Sequence, residues 1–279
     1  MRSARCFVVN SAVVVLLLFG GGTLAEAGAI LPGFNASTLA PNDDDSTGLV
    51  PIGFTLNFFG TTYSNLYVNN NGNVTFDAAQ WTYTPYPLLG TGREIIAPFF
   101  ADVDTRIDSG VLTYGPGTVA GRAAFGVNWV DVNYYSVYSP DHTNRNDFQL
   151  VIIDRSDINP GDFDFWFNYD RIQWEAGEAS GSTRQGCEGT AARAGWSNGS
   201  TASYELAGSG INGAFLDSGT CVAAPGPNAL IYHSLGSGVD GRYVFPVRNG
   251  RPEPVVPEPA TLILLGSGLI GLAARRHRS

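Results

Sequence analysis

Aromatic and polar side chains alternate along the middle of the chain. Phe163, Phe165, Phe167 and Tyr169 are separated by single residues, most of which are polar. Successive side chains of a strand point to opposite faces, so this period of two predicts a β-strand with one buried face.

A β-hairpin is predicted where two short runs of apolar and β-branched residues flank the dipeptide Asn71-Gly72. Asn-Gly favours a two-residue turn because both residues tolerate positive φ. Such a turn would place Tyr67 opposite Phe76, on one face of the hairpin.

Further short runs between Gly, Pro, Asn and Asp predict strands at 53–58, 95–102, 111–114, 123–132, 148–154, 229–235 and 243–247. No middle segment sustains a helical apolar period, so crossover helices for a parallel sheet are not expected. The sequence therefore predicts an all-β fold, an antiparallel sandwich or barrel-like sheet, flanked by an N-terminal signal helix and a C-terminal hydrophobic helix.

The N-terminus has the order of a secretory signal. Two arginines precede an apolar run at 7–19, and small residues lead to Ala25-Glu26-Ala27. This order predicts a signal peptide cleaved after Ala27. The alternative is a membrane anchor, for which the run is short against the roughly 20 apolar residues of a span.

The C-terminus contains Pro257-Glu258-Pro259, an apolar run at 260–274, and a cationic end that includes Arg275 and Arg276. Arginines resist translocation, so this end should stay in the cytoplasm. The alternative is a buried helix, which would have almost no polar face. The expected organisation is therefore a signal peptide, a β domain, a Pro-rich spacer and a sorting or transmembrane tail, at 1–27, 28–248, 249–256 and 257–279.

This three-part tail resembles a PEP-CTERM sorting signal, which is found in Gram-negative bacteria that make extracellular polysaccharide. The resemblance implies transient anchoring in the inner membrane and processing near Pro257-Glu258-Pro259 by an exosortase. The mature chain would then be released from the cell or attached at its surface.

Charge and cysteine content agree with export. The formal net charge is −9, which argues against nucleic acid as a partner. Cys6 would leave with the signal, and the remaining pair, Cys187 and Cys221, would form a disulfide in an oxidising compartment. A metal-binding pair is the alternative, but no neighbouring His or Cys supplies further ligands.

The middle of the chain resembles a NIDO domain, the nidogen-like extracellular module. The segments that carry the resemblance are LPGFN at 31–35, NDDD at 42–45, LNFFG at 56–60, LYVNNNGNVTF at 66–76, IAPFFADVDTR at 96–106, WVDV at 129–132, NDFQLV at 146–151 and AGWSNG at 194–199. The resemblance implies an adhesion or matrix context without catalysis. Partners differ between members, so no binding residue follows from it.

Acidic loops offer a candidate calcium site. Asp43 and Asp45 lie in a polar loop, and Asp102 and Asp104 are two apart at a strand end, so their carboxylates share one side. Oxygen-rich loops of this kind hold Ca²⁺ weakly in extracellular modules. Solvated turn acids, with Arg106 pairing one of them, are the alternative.

Aromatic residues could also stack on sugar rings when exposed. There are two candidate groups. The first contains Trp81, Tyr83 and Tyr86, and the second contains Tyr134, Tyr135 and Tyr138. The second group lies beside serines in a loop-like segment and is the predicted glycan contact.

The expected function is a non-enzymatic cell-surface or extracellular-matrix protein. It would act in cell–matrix adhesion or in association with exopolysaccharide, biofilm or a matrix protein. A purely structural matrix component is a further possibility. The alternative is a secreted hydrolase, an esterase or glycosidase. Gly195-Trp196-Ser197-Asn198-Gly199 fits the G-x-S-x-G motif, with Asp217 and His233 in the order of a triad, but the expected helix after the serine is not predicted.

Overall fold

A computed structural model of the protein describes residues 28–90, 92–137, 143–183 and 185–254. The predicted signal peptide, its cleavage after Ala27 and the sorting tail lie outside the described residues. Among the residues described, no helix is long and apolar enough to cross a membrane.

Two antiparallel sheets make up the domain, as the all-β prediction requires. The first contains, in spatial order, β1 (Ser37–Thr38), β7 (Thr113–Val119), β8 (Arg122–Tyr134), β9 (Asn146–Asp154), β10 (Phe163–Ile172), β13 (Arg242–Arg248) and β14 (Arg251–Pro252), with β6 (Val103–Asp104) on β8. The second contains β12 (Ser203–Glu205), β11 (Arg193–Asn198), β5 (Glu94–Phe100), β4 (Asn73–Thr75), β3 (Thr61–Asn69) and β2 (Val50–Phe58).

Aromatic side chains from both sheets form one core. Phe99 of the second sheet packs on Phe148 of the first, with ring centres 5.3 Å apart, and Phe148 stacks on Trp129 at 5.0 Å. Phe58 similarly reaches Phe163, at 6.1 Å. Each fully buried aromatic side chain contributes roughly 1.5–3 kcal/mol of transfer free energy, so this layer holds the two sheets together.

The alternating aromatics lie in β10, and all four are buried in the core. The opposite face of the first sheet is also partly covered, because Phe34 packs on Val151 and Ile153. Gln149 fixes this N-terminal segment by accepting a 3.0 Å hydrogen bond from the Leu31 N–H. The buried face was therefore predicted correctly, while the second covering layer was not predicted.

The hairpin has a different register from the one predicted. Tyr67 lies opposite Thr75, and Asn69 pairs with Asn73, so three residues form the turn. Gly72 has a φ of 72°, and a Cβ there would lie 1.8 Å from the carbonyl oxygen of Phe99. The extra residue is Asn70, whose buried side chain is held by long-range hydrogen bonds rather than by the local turn.

Two other expectations are wrong. Segment 229–235 is not a strand, because Leu230–Tyr232 forms a 3₁₀ turn whose Leu230 carbonyl accepts a hydrogen bond from the Tyr243 hydroxyl at 3.1 Å. The spacer predicted from residue 249 is in part a strand, since β14 pairs with β13 around Asn249-Gly250. Both turn residues have positive φ, so this is the Asn-Gly hairpin that the Pro-rich composition obscured.

The predicted disulfide joins Cys187, before β11, to Cys221, after β12. The Cα atoms are 5.2 Å apart, and the bond links residues 34 positions apart in the chain. It ties together two long loops that contain little regular structure.

Candidate metal centre at the acidic loop

A buried turn formed by Asn70, Asn71 and Gly72, the asparagine turn, positions the acidic loop at residues 42–45, between β1 and β2. The Asn70 backbone N–H donates a 2.9 Å hydrogen bond to the carbonyl oxygen of Asp45. The Asn70 side-chain amide donates to the carbonyl oxygen of Asp43, and that of Asn71 donates to the Asp44 carboxylate at 2.9 Å. Asn70 and Asn71 are fully buried, so the loop's position is set by groups inside the domain.

The same turn holds the connection between β5 and β6, where Asp102 lies. The side-chain oxygen of Asn71 accepts a 2.9 Å hydrogen bond from the Val103 N–H. The carbonyl oxygen of Asp102 accepts one from the Tyr135 N–H at 3.0 Å. A segment that lies 59 residues after Asp43 in the chain is therefore fixed against the acidic loop.

These contacts bring three carboxylates together. One oxygen each from Asp43, Asp44 and Asp102 lies within 4.8 Å of the other two, and Asp102 is only 1% exposed. The sequence-based set contained Asp43 and Asp102 but omitted Asp44. Its other members, Asp45 and Asp104, are not in this group.

Asp104 instead pairs with Arg106, whose Nε and Nη2 donate to its two carboxylate oxygens at 2.9 and 2.7 Å. The Nη2 atom of Arg106 also lies 3.0 Å from an oxygen of Asp43. The predicted pairing of Arg106 with an aspartate is thus present, and it engages both carboxylate oxygens of Asp104.

Burial raises the pKa of Asp102 to about 8, and repulsion from Asp43, Asp44 and Asp104 adds to this effect. Burial likewise raises the pKa of Asp43 to about 7, against the opposing attraction of Arg106. The pKa of Asp44 is also raised, chiefly by burial. The three carboxylates therefore stand close together without enough positive charge to balance them.

Three buried oxygens around the cluster accept no hydrogen bond from the described residues: Asp43 Oδ1, Asp102 Oδ2 and Asn70 Oδ1. An unsatisfied buried acceptor costs about 1–3 kcal/mol. All three are hard oxygen donors, the kind that Ca²⁺ and Mg²⁺ bind.

Exposed aromatic side chains lie beside this cluster. Trp81 is 65% exposed and Tyr83 is 38% exposed. They flank Thr82, whose carbonyl oxygen accepts a 3.4 Å hydrogen bond from the side-chain amide of Asn71. Exposed aromatics of this kind therefore adjoin the asparagine turn that holds the acidic loop.

The predicted glycan contact at residues 134–138 is only partly available. Tyr134 is fully buried against Trp174, with ring centres 5.7 Å apart, so it is not a surface residue and that part of the prediction is wrong. Tyr135 is half-buried, with the Arg106 guanidinium 5.7 Å from its ring centre. Tyr138 lies outside the described residues.

The residues considered for hydrolysis have structural contacts. Ser197 is buried in β11, its hydroxyl accepts a 3.0 Å hydrogen bond from the Gly199 N–H, and strand β12 follows where the motif requires a helix. Asp217 accepts a 2.7 Å hydrogen bond from the Ile172 N–H. The strand–turn–helix geometry that exposes a nucleophilic serine is therefore replaced here by a hairpin.

Comparison with known families identifies two regions of the chain. The model of the NIDO-related family matches residues 28–207, and the chain belongs to that family. A PEP-CTERM protein-sorting motif matches residues 255–278. The motif implies processing by an exosortase, and the two matches together support an exported, extracellular or cell-surface protein.

Among curated proteins, the chain is similar to alpha-tectorin of Mus musculus, with 33% identity over 186 residues, 58% of this chain and 8% of the relative. It is also similar to nidogen-2 of Mus musculus, with 28% identity over 144 residues, 47% of this chain and 10% of the relative. The nidogen of Drosophila melanogaster is 26% identical over 215 residues, 67% of this chain and 15% of the relative. The chain thus spans less than a sixth of these relatives. No solved structure matches it.

Proposed function

We propose that this protein is a non-enzymatic adhesion or matrix module that holds extracellular polysaccharide at the surface of the cell that exports it. The proposal is carried by the exposed aromatic pair, Trp81 and Tyr83, which adjoins the asparagine turn of a domain linked to a sorting motif. Exposed apolar side chains that lie next to one another, rather than singly, are typical of surfaces that bind a partner.

The chemistry of these side chains suits a sugar polymer. An aromatic face stacks on the apolar face of a sugar ring, and the Tyr83 hydroxyl can form a hydrogen bond with a sugar hydroxyl. The acidic net charge of −9 disfavours a strongly anionic polymer. The expected ligand is therefore a neutral or weakly charged exopolysaccharide.

Binding of exopolysaccharide purified from the producing bacterium tests the proposal. The full chain is produced in exosortase-competent cells, recovered from their surface or medium, and assayed by co-sedimentation. Trp81→Ala should weaken binding about tenfold or more, which corresponds to about 1.4 kcal/mol. Tyr232→Ala removes another aromatic, 52% exposed, from a different part of the surface and is the matched control.

Binding that is unaffected by Trp81→Ala and Tyr83→Ala would contradict the role of this surface. Release of soluble sugars, or of carboxylic acids from ester groups, from the same polymer would instead favour the hydrolase alternative. A Ser197→Ala variant would show whether such release depends on the G-x-S-x-G serine.

A further inference from the structure

We propose that Asp43, Asp44, Asp102 and Asn70 form a binding site for one divalent cation, calcium in the extracellular medium. The three carboxylates converge within 4.8 Å of one another. Oxygens on opposite sides of a Ca²⁺ ion are separated by roughly 4.6–5.2 Å, twice the usual Ca–O distance. The distances between these carboxylate oxygens are therefore compatible with their binding to a single Ca²⁺ ion.

Asn70 provides evidence independent of the acidic residues. Its side chain is fully buried, and its Nδ2 atom donates to the carbonyl oxygens of both Asp43 and Val103. The amide group therefore lies between the acidic loop and the residue that follows Asp102. Its Oδ1 atom accepts no hydrogen bond from the described residues. A cation at this position would satisfy an oxygen that the protein leaves unsatisfied.

Each carboxylate also has an oxygen that is not committed elsewhere. Arg106 contacts one oxygen of Asp43, and the other, Oδ1, is buried and accepts no hydrogen bond from the residues described. Asn71 donates to Oδ1 of Asp44, which leaves Oδ2 for a ligand. Oδ2 of Asp102 is buried and likewise unsatisfied within the described ranges. Existing contacts thus engage one oxygen of Asp43 and one of Asp44, and one oxygen of each of the three carboxylates has no hydrogen bond from the described residues.

Calcium fits this site better than magnesium. Magnesium requires a nearly ideal octahedron at 2.0–2.1 Å and usually keeps several waters, whereas calcium accepts irregular sets of six to eight oxygens. Side chains from a loop, a turn and a strand end make an irregular set. Three carboxylates and an amide carbonyl, completed by water, resemble the weaker extracellular calcium sites, with a Kd of about 0.1–1 mM.

The position of the site in the topology indicates its role. Asp43 and Asp44 lie where the chain passes from β1 of the first sheet to β2 of the second. Asp102 lies where it returns from β5 of the second sheet to β6, which pairs with the first. A cation bound to all three would join the two crossings, so binding should stabilise the packing of the sheets.

Calorimetric titration of the chelator-treated protein with CaCl₂, and thermal unfolding with and without it, test the site. We expect one Ca²⁺ per chain and a rise in Tm of about 5–10 °C at a hundredfold excess over Kd. Asp102→Asn should reduce the calcium affinity at least tenfold, because it replaces a carboxylate ligand with a neutral amide. Asp43→Asn provides a second, independent variant if Asp102→Asn does not fold.

Asp157→Asn is the matched control, because Asp157 is a surface carboxylate paired with Arg122 and Arg155. It should leave calcium affinity unchanged. The absence of calcium binding to the wild-type protein at millimolar concentration would overturn the proposal. Equal binding by the wild type and both cluster variants would overturn it as well. Because the readout involves no polysaccharide, it is separate from the test of the proposed function.

Discussion

Asn71 donates a 2.9 Å hydrogen bond from its side-chain amide to the carboxylate of Asp44. Its side-chain oxygen accepts one of equal length from the backbone N–H of Val103. A single fully buried side chain therefore connects the acidic loop to the start of β6. The asparagine turn therefore helps to fix the position of the acidic loop in the domain.

Asn71→Ala should destabilise the protein by about 1–3 kcal/mol, because it removes one of the two acceptors of the buried Val103 N–H and leaves the Asp44 carboxylate without its donor. The other acceptor, the Ala101 carbonyl oxygen at 3.0 Å, remains. The free energy of unfolding, measured by denaturant titration, tests this. Asn65→Ala, at an exposed position of β3, should change it by less than about 0.5 kcal/mol. Equal effects of the two substitutions would contradict the importance of the turn.

Gly72→Ala should be more damaging than Gly60→Ala. Both glycines have positive φ, 72° and 93°, so both substitutions introduce backbone strain of about 1 kcal/mol. Only at Gly72 would the new Cβ clash, 1.8 Å from the carbonyl oxygen of Phe99, whereas Gly60 has open space. Thermal unfolding of the two variants separates the clash from the strain. A similar loss of Tm in both would show that the turn can move away from β5.

Glu175 should make stability depend on pH. Its carboxylate accepts hydrogen bonds from the Gly213 N–H, but burial raises its pKa from 4.5 to about 7. The folded state thus holds this proton more tightly than the unfolded state does. The resulting stability is present below about pH 4.5 and is lost as pH rises through about 7.

The raised pKa of Glu175 should lower the free energy of unfolding of the wild type by about 1–3 kcal/mol between pH 5 and 8. Glu175→Gln should abolish this decrease. Urea unfolding of wild type and variant across this range measures the difference directly. The stability difference between the two proteins should change with pH in the direction that favours the variant at pH 8. A difference independent of pH would show that Glu175 has an ordinary pKa in the folded protein.

Replacing both Cys187 and Cys221 with serine should lower the free energy of unfolding by about 2–4 kcal/mol. The disulfide closes a loop across 34 positions, and opening it restores conformational entropy to the unfolded chain. Unfolding with and without reductant provides the measurement. Wild-type stability that is unaffected by complete reduction would mean that the two loops are held by other contacts.

The sequence predicted the features that depend on local pattern. The alternation in β10 identified four buried aromatics, and cysteine pairing followed from export and an even count. The Asn249-Gly250 turn carries the same local information and was obscured by nearby prolines. The Asn249-Gly250 dipeptide by itself indicates a hairpin turn, and therefore a strand after β13.

Features that depend on long-range packing were not predictable in this way. Asp44 and Asp102 meet because two sheet crossings converge on Asn71, which no local spacing encodes. Tyr134 and Tyr135 are neighbours in the sequence, yet only Tyr134 is buried, because Trp174 covers it. The register of the first hairpin likewise follows from the buried side chain of Asn70 and not from the Asn-Gly dipeptide.

Mass spectrometry of the C-terminus in cells with and without the exosortase tests most directly that the protein is exported and sorted. In competent cells, the chain recovered from the surface or medium should end near Pro257-Glu258-Pro259. Without the enzyme, the Arg278-Ser279 end should persist in the membrane fraction. Glu258→Ala should block processing, whereas Glu253→Ala, which leaves the motif intact, should not. An intact C-terminus in both strains would contradict the account.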